Sequence, residues 1–517
     1  MYKFFYSICR GRFWENIFFT WVRDTIRMRR FVLGAKTESV PSAASALQIG
    51  VIITPWCGSA VPWVSMVIGL LLAARGHKVT FVFDDLPFGE TDSVWRLQLL
   101  SIRSVMSLIS RKYRVVRMSS RQNILASIDD HAINALARLN SVWAMRGEAP
   151  VTNQSMDSIR RQLVDCDAAI ESFLTTERYS LLVVPGGIWG SSGLWLRHAR
   201  NLDIRVSTYD SGGYGVLLLC VDGIACQLQD IPRAFKLLKN SVSEPSVQRR
   251  VSLMAMSELN KRREGTDKFA SQVVSSKSHE RKCEGGVLLA LNSSWDSAAL
   301  GLHMAFETNQ DWLLGTVRHL LEKTDVPVVV RQHPVERLSI AASSDDYASL
   351  LNQHFGKHPR LHFISAHDPV NTYELIEHVD VVIVYTSTIG VEAAAQGKTV
   401  ITESSSYYSD LGFVHSAKTR DQYFQLLTSA TAGHLKVTEA MRLDAVNAYY
   451  ITQCCNWVQT LITVPDFPKW SRRNLSYLAV HPAVNLVIDA IETNVPVSFL
   501  NHLQNLRLAS SDKNDDG

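Results

Sequence analysis

From about residue 47 onward, short apolar runs alternate with longer amphipathic stretches, and this alternation predicts the elements. "LQIGVIITPW" (47–56) reads as a buried strand, "VSMVIGLLLAARGH" (64–77) as a helix ending near Gly76, and "KVTFVFDD" (78–85) as the next strand. Strand, helix and strand in close succession form a βαβ unit, and hence a parallel sheet. "YSLLVVPGG" (179–187) and "DIRVSTYDSGG" (203–213) add two strands that run into glycines. Residues 258–286 break the pattern. They are polar, charged and almost without core positions, and read as a linker or as a solvated helix followed by one. The pattern then restarts with "GVLLALN" (286–292), "VPVVVRQHP" (326–334), "RLHFISA" (360–366), "VDVVIVYTS" (379–387) and "KTVITES" (398–404). The expectation is an α/β protein with two Rossmann-like domains facing each other across an interdomain cleft. The expected boundaries are an amphipathic helical segment 1–46, a first Rossmann-like domain 47–257, a linker 258–286 and a second Rossmann-like domain 287–435. Helices 436–508 and a frayed tail 509–517 would follow. No internal repeat interrupts this scheme.

A chain of 517 residues exceeds one ordinary core, in keeping with two domains. Apolar residues make up 46% and charged residues 20%, so the chain is globular rather than disordered. The net charge of +4 is small for this length and gives no footprint for nucleic acid. The eight cysteines show neither zinc spacing nor a disulfide framework, which points to a reducing compartment. No signal peptide and no membrane-spanning apolar run is visible. Near the N-terminus, Trp14, Ile17, Phe18, Trp21, Val22 and Met28 share one side of a helical wheel, opposite Arg12, Arg23, Arg27 and Arg30. Such a helix over residues 12–30 either lies on an anionic membrane surface or packs on the protein's own core with its arginines in water.

The candidate chemistry sits where strands end. In "VVIVYTSTIGVEAAAQGKTVI" an apolar strand stops at Thr386, Ser387 and Thr388, and a helix begins near Gly390. Hydroxyls and free N–H groups at a helix start favour a phosphate, Gly390 would let the backbone approach it, and Glu392 could accept from a sugar hydroxyl. The bland alternative is a Ser/Thr cap in a capping box. "VVVRQHP" ends in Arg331, His333 and Pro334, with the arginine and histidine on one face of the strand. In "LNSSWDSAALG", Asp296 either belongs to a polar loop at the cleft or caps the helix that follows. In "STYDSGGYG", Asp210 is either a general base or nucleophile toward an acceptor hydroxyl, or an ordinary turn aspartate.

Taken together these segments resemble the capsule polysaccharide biosynthesis glycosyltransferases of bacteria, notably the Kdo-transferase-like members and more distantly the bacterial sialyltransferases. His333-Pro334 and Ser387-Thr388 stand where the family has a His-Pro pair and a Ser-Ser or Ser-Thr pair after strands. "TSTIGVEAAAQGKTV" is similar to its T-S-x-x-G-x-E-A…G-K-x-V signature, and Asp296-Ser297 to its Asp-Ser after the first strand of the second domain. The likeness is specific over about 285–415 and only architectural over 47–235. The resemblance implies a GT-B fold, with the acceptor on the first domain and the nucleotide-sugar donor on the second. It implies a CMP-activated donor such as CMP-Kdo or CMP-sialic acid, and no metal or other cofactor. Arg331, His333, Pro334, Thr386, Ser387, Thr388, Gly390 and Glu392 would hold the donor, with Asp210 and Asp296 as catalytic candidates. The sialyltransferase acidic-acidic-Gly motif is replaced by Asp210-Ser211-Gly212. The acceptor would be a surface polysaccharide or glycolipid, and the enzyme would work in the cytoplasm, peripheral to the inner face of the plasma membrane. The rival expectations are a non-hydrolysing nucleotide-sugar epimerase and a non-catalytic component of capsule assembly.

Overall fold

The structure, a computed structural model, describes residues 12–35, 46–56, 59–88, 93–120, 129–211, 215–270, 273, 284–339 and 341–511. It is an α/β protein with two six-stranded sheets. The first comprises β1 (Gln48–Ile53), β2 (Lys78–Phe83), β3 (Arg114–Arg117), β4 (Leu181–Pro185), β5 (Arg205–Ser211) and β6 (Leu217–Cys220). The second comprises β7 (Gly286–Ala290), β8 (Val328–Arg331), β9 (Leu361–Ile364), β10 (Val379–Val384), β11 (Thr399–Thr402) and β12 (His415–Ser416). The strand orders are β3-β2-β1-β4-β5-β6 and β12-β11-β10-β7-β8-β9. Counted from the first strand of each, both follow the Rossmann order 3-2-1-4-5-6, so each sheet reverses direction once, between β1 and β4 and between β7 and β10. All neighbours run parallel except β6, which pairs antiparallel with β5 and sets Asp210 opposite Leu218.

The strands are the apolar runs, and they are apolar because helices cover both faces. In β7 and β8 every residue is buried. The helix Val61–Ala74 has Pro62 in its first turn and is buried nearly all round. Its Gly69 lets Phe81 of β2 come so close that an added Cβ would lie 2.6 Å from Cε1 of that ring.

Two compact units result, and their boundaries differ from the expected ones. The first contains residues 1–140, 153–230 and 456–517, the second 141–152 and 231–455. The first unit ends near 230 rather than 257, because the helix Pro245–Glu264 belongs to the second. That helix also takes up the start of the expected linker, of which 271–272 and 274–283 lie outside the described residues. The expected C-terminal helices 436–508 divide as well. Glu439–Tyr449 and the π-helical turn Tyr450–Cys455 stay with the second unit, while the chain from Asn456 rejoins the first. There Leu217 N–H donates to the Val458 carbonyl at 3.0 Å, and Phe467, Trp470 and Leu475 enter the same core as β1 and β2. The helix Val497–Ser511 continues into the expected tail, whose residues 512–517 lie outside the described ones.

The N-terminal helix Arg12–Gly34 uses its apolar side within its own unit. Trp21, Met28 and Phe31 are buried, and the Phe31 ring meets Trp470 edge-on at 5.7 Å. Arg23 and Arg30 are exposed, as is Val22. Packing on the core therefore accounts for Trp21 and Met28 of that face but not for Val22; the side chains of Trp14, Ile17 and Phe18 lie outside the described residues. Among the described residues no helix is long and apolar enough to cross a membrane.

Candidate functional site

In the second unit, the ends of β7, β8 and β10 converge where the strand order reverses. A pocket opens there, lined by Ala290 and Leu291 at the end of β7, by Arg331, His333 and Pro334 at the end of β8, and by Ser387, Thr388, Ile389 and Glu392 after β10. Arg262, Val273, Thr372 and Tyr373 complete it. Of the residues expected to hold a donor, Arg331, His333, Pro334, Ser387, Thr388 and Glu392 line this pocket, and Thr386 and Gly390 do not.

His333 is fixed by the residues that follow it. Its extended backbone leads into Pro334, and Val335 N–H donates to its Nδ1 at 3.1 Å. A ring that accepts at Nδ1 carries its proton on Nε2 when neutral. Burial pushes its pKa down to about 4, with further lowering by Arg331, Arg262 and Arg337. His333 is therefore a neutral Nε2–H donor at physiological pH.

Arg331 is 1% exposed. Its Nη1 donates to the Ser365 carbonyl and its Nη2 to the Val370 carbonyl, the latter at 3.0 Å. Both terminal nitrogens thus brace the loop after β9. The buried Nε has no hydrogen-bond partner and remains for the pocket. Burial draws the guanidinium pKa down to about 10. Arg331 thus lines the pocket as expected, and its Nε is the nitrogen without a hydrogen-bond partner.

The turn after β10 is not a capping box. Thr388 occupies the N-cap position of the helix Ile389–Ala395, but its side chain makes no capping bond. Ser387 Oγ accepts from Ile389 N–H at 3.4 Å instead. Glu392 is 1% exposed, and its Oε2 accepts from the Tyr373 hydroxyl at 2.9 Å. Its Oε1 has no hydrogen-bond partner and lies 4.0 Å from Arg262 Nε. Burial raises the carboxyl pKa, while Arg262 and the Tyr373 and Thr388 hydroxyls pull it back.

Gly390 is required by packing. An added Cβ would sit 3.0 Å from both the Tyr408 hydroxyl and Val384 Cγ2. That hydroxyl donates to the Ser387 carbonyl at 2.8 Å and so holds the turn from behind. Thr386 ties two strand ends together, its N–H donating to Asn292 Oδ1 at 3.3 Å.

The two catalytic candidates are placed elsewhere. Asp296 is exposed in the short helix Ser294–Ala298 and is not among the pocket's lining residues. Its neighbour Ser294 is the buried one, donating to Asp345 Oδ2 at 2.8 Å. Asp345 also accepts from Glu148 N–H at 3.1 Å and Ala149 N–H at 2.9 Å, which fastens segment 141–152 to the second unit. Asp210 lies in the first unit at the end of β5, its Oδ1 accepting from Ser211 N–H at 2.7 Å. With Trp56, Ser59, Val61, Pro185, Gly186, Tyr209 and Ser211 it lines a second pocket, at the reversal point of the first sheet. Gly212, Gly213 and Tyr214 lie outside the described residues. Among the described residues no three metal-ligating side chains come together.

Arg262, Thr372 and Tyr373 are lining residues that the motifs did not single out. Arg262 comes from the helix Pro245–Glu264, in a stretch that reads as polar linker. A signal was nonetheless present, since Val251, Ala255, Leu259 and Arg262 are spaced to share one helix face and all are buried.

Residues 246–455 match the family model described as capsule polysaccharide biosynthesis protein. That stretch holds the His333-Pro334 and Thr386-Ser387-Thr388 motifs, and the two Rossmann-ordered sheets give the chain a fold of the GT-B type. Among solved structures it is similar to the Thermosulfurimonas dismutans KpsC beta Kdo 2,4 transferase, at 16% identity over 52% of this chain and 79% of that one, with a TM-score of 0.34. The KpsC beta Kdo 2,7 transferase of the same organism gives 15% identity, 55% and 80% coverage, and a TM-score of 0.32. The UDP-GlcNAc 2-epimerase from Methanocaldococcus jannaschii gives 11%, 79% and 99%, and 0.25. Values this low carry no activity from those proteins to this chain. No curated protein sequence matches it.

Proposed function

We propose that the protein is a glycosyltransferase of capsule or other surface-polysaccharide synthesis, and that the pocket beyond β7, β8 and β10 holds the phosphate end of its nucleotide-sugar donor. The observation that carries this reading is the meeting, at one sheet reversal point, of the His333-Pro334 and Ser387-Thr388 pairs that mark the family. The leaving group departs with negative charge, and the His333 Nε2–H and the two hydroxyls would stabilise it as it forms. The charge supply favours a donor with one phosphate, as in a CMP-sugar. His333 is neutral and Arg262 faces two carboxylates, so Arg331, whose hydrogen bonds go to neutral carbonyls, supplies the positive charge. A Kdo- or sialic-acid-like sugar follows from the family resemblance. Asp210, beside Trp56 and Ser59 in the first unit, is the proposed base or nucleophile toward a saccharide acceptor. Asp296 is the weaker candidate, because it lies outside the pocket.

The test is calorimetric titration of CMP and UDP into the wild type and His333→Ala. CMP should bind the wild type and bind the variant about ten- to a hundredfold more weakly, the loss expected for a hydrogen bond to a charged group. UDP binding in place of CMP overturns the donor class. Binding of neither moves the reading to a non-catalytic assembly component.

A further inference from the structure

The helix Pro245–Glu264 delivers one cation into the interior, and nothing in the motif chemistry calls for it. Arg262 is 6% exposed, and its guanidinium carbon sits 4.1 Å from the centre of the Phe269 ring. Its Nε lies 3.1 Å from Asp267 Oδ2 and 4.0 Å from Glu392 Oε1, and its Nη2 donates to Gln453 Oε1 at 3.4 Å. An arginine enclosed this way costs desolvation, which only close opposite charges offset. Glu392 is the mirror case, a carboxylate at a pocket wall with one oxygen held by Tyr373 and the other facing Arg262.

We propose that Arg262 is a positioning residue of the donor pocket, keeping Glu392 as a carboxylate whose Oε1 stays free to accept from the donor. This rests on the reading of the pocket as a donor site. The groups facing Glu392 are Arg262 and Asp267, Tyr373 from the helix Thr372–His378, Thr388 at its own helix entry, Tyr449 from the helix Glu439–Tyr449, and Tyr407 and Tyr408 from the loop after β11. Burial holds the tyrosines neutral, since each is raised from its ordinary value. Arg262 is therefore the positive charge among them, and Asp267 opposes it. Burial already raises the Glu392 pKa, so loss of Arg262 raises it further, and a protonated Glu392 loses acceptor capacity. Affinity in such a variant must then climb as pH rises and the carboxyl ionises.

The experiment is CMP titration from about pH 6 to about pH 9 into wild type, Arg262→Gln, Arg262→Lys and Glu392→Gln, a range that spans a buried carboxyl. The Glu392→Gln profile isolates the titration of the nucleotide's own phosphate. Against it, Arg262→Gln should shift the affinity inflection upward by about one pH unit or more, which weakens CMP about tenfold near neutrality and restores it at the alkaline end. Arg262→Lys keeps the charge and should follow the wild type. Should Arg262→Gln fail to fold, Tyr373→Phe removes the donor to Oε2 and should move the inflection the same way. An Arg262→Gln profile that superimposes on wild type, or that is weaker by one factor at every pH, overturns the proposal while leaving the donor site standing. A wild type that binds no CMP overturns both.

Discussion

Gly390 and Tyr408 show how closely the turn after β10 is backed. Gly390→Ala would place a methyl group 3.0 Å from the Tyr408 hydroxyl and Val384 Cγ2, and both neighbours are buried. Overpacking of this kind costs about 1–3 kcal/mol, and urea unfolding of the variant should show that loss. Because Tyr408 holds the Ser387 carbonyl, the variant should also bind CMP more weakly than wild type in the native range. Unchanged stability would mean that the tyrosine swings away freely. At this scale the sequence was a good guide to which residues gather and a poor guide to what each does. His333, Ser387, Thr388 and Glu392 were legible because a strand that stops in polar residues must present them at a sheet edge. The engagement of Arg331 with two carbonyls was not legible, since its partners lie in a loop 34 and 39 residues further along. Nor was the packing of Gly390 against Tyr408.

Among the elements, nine of the twelve strands were legible as apolar runs. The missed ones are β3, whose two valines are flanked by arginines, β6, an apolar run so soon after the glycines that follow β5 that it was not separated from that turn, and β12, of two residues. The helix Pro245–Glu264 was legible only in part, because its exposed face is charged enough to resemble a linker. The N-terminal helix gives the sharpest prediction at this scale. Phe31 is buried against Trp470, so Phe31→Ala should cost about 3–5 kcal/mol, measured as a lower midpoint in thermal or denaturant unfolding. A helix that merely rested on a lipid surface would lose nothing in that assay. Association of the intact protein with anionic vesicles tests the remaining membrane expectation separately, through the exposed Arg23 and Arg30.

For the whole molecule, the two-sheet α/β class was legible and the division of the chain was not. Local pattern says where strands are, but not which distant segment fills the last gap in a core. Val458, Ile462, Phe467, Trp470, Val484 and Val487 fill such a gap beside β1 and β2, and Arg75 pairs with Asp489 at 2.5 Å and Glu492 at 2.6 Å. A chain ending at Cys455 should therefore lose cooperative unfolding of its first unit and become sensitive to limited proteolysis there. Retention of a native-like protease pattern would show that the C-terminal helices are dispensable.

The split arrangement of the first unit also fixes an order of events at the ribosome. Its sheet strands emerge early, yet the helices that close its core are translated only after all of 231–455. At about 5–20 residues per second, the nascent first unit waits roughly ten to fifty seconds with apolar surface uncovered. The second unit, by contrast, has its whole sheet available before those helices are made. The half that carries the His333 pocket is thus the one the cell can finish first, and the half with the Asp210 pocket depends on the segment from Asn456 onward.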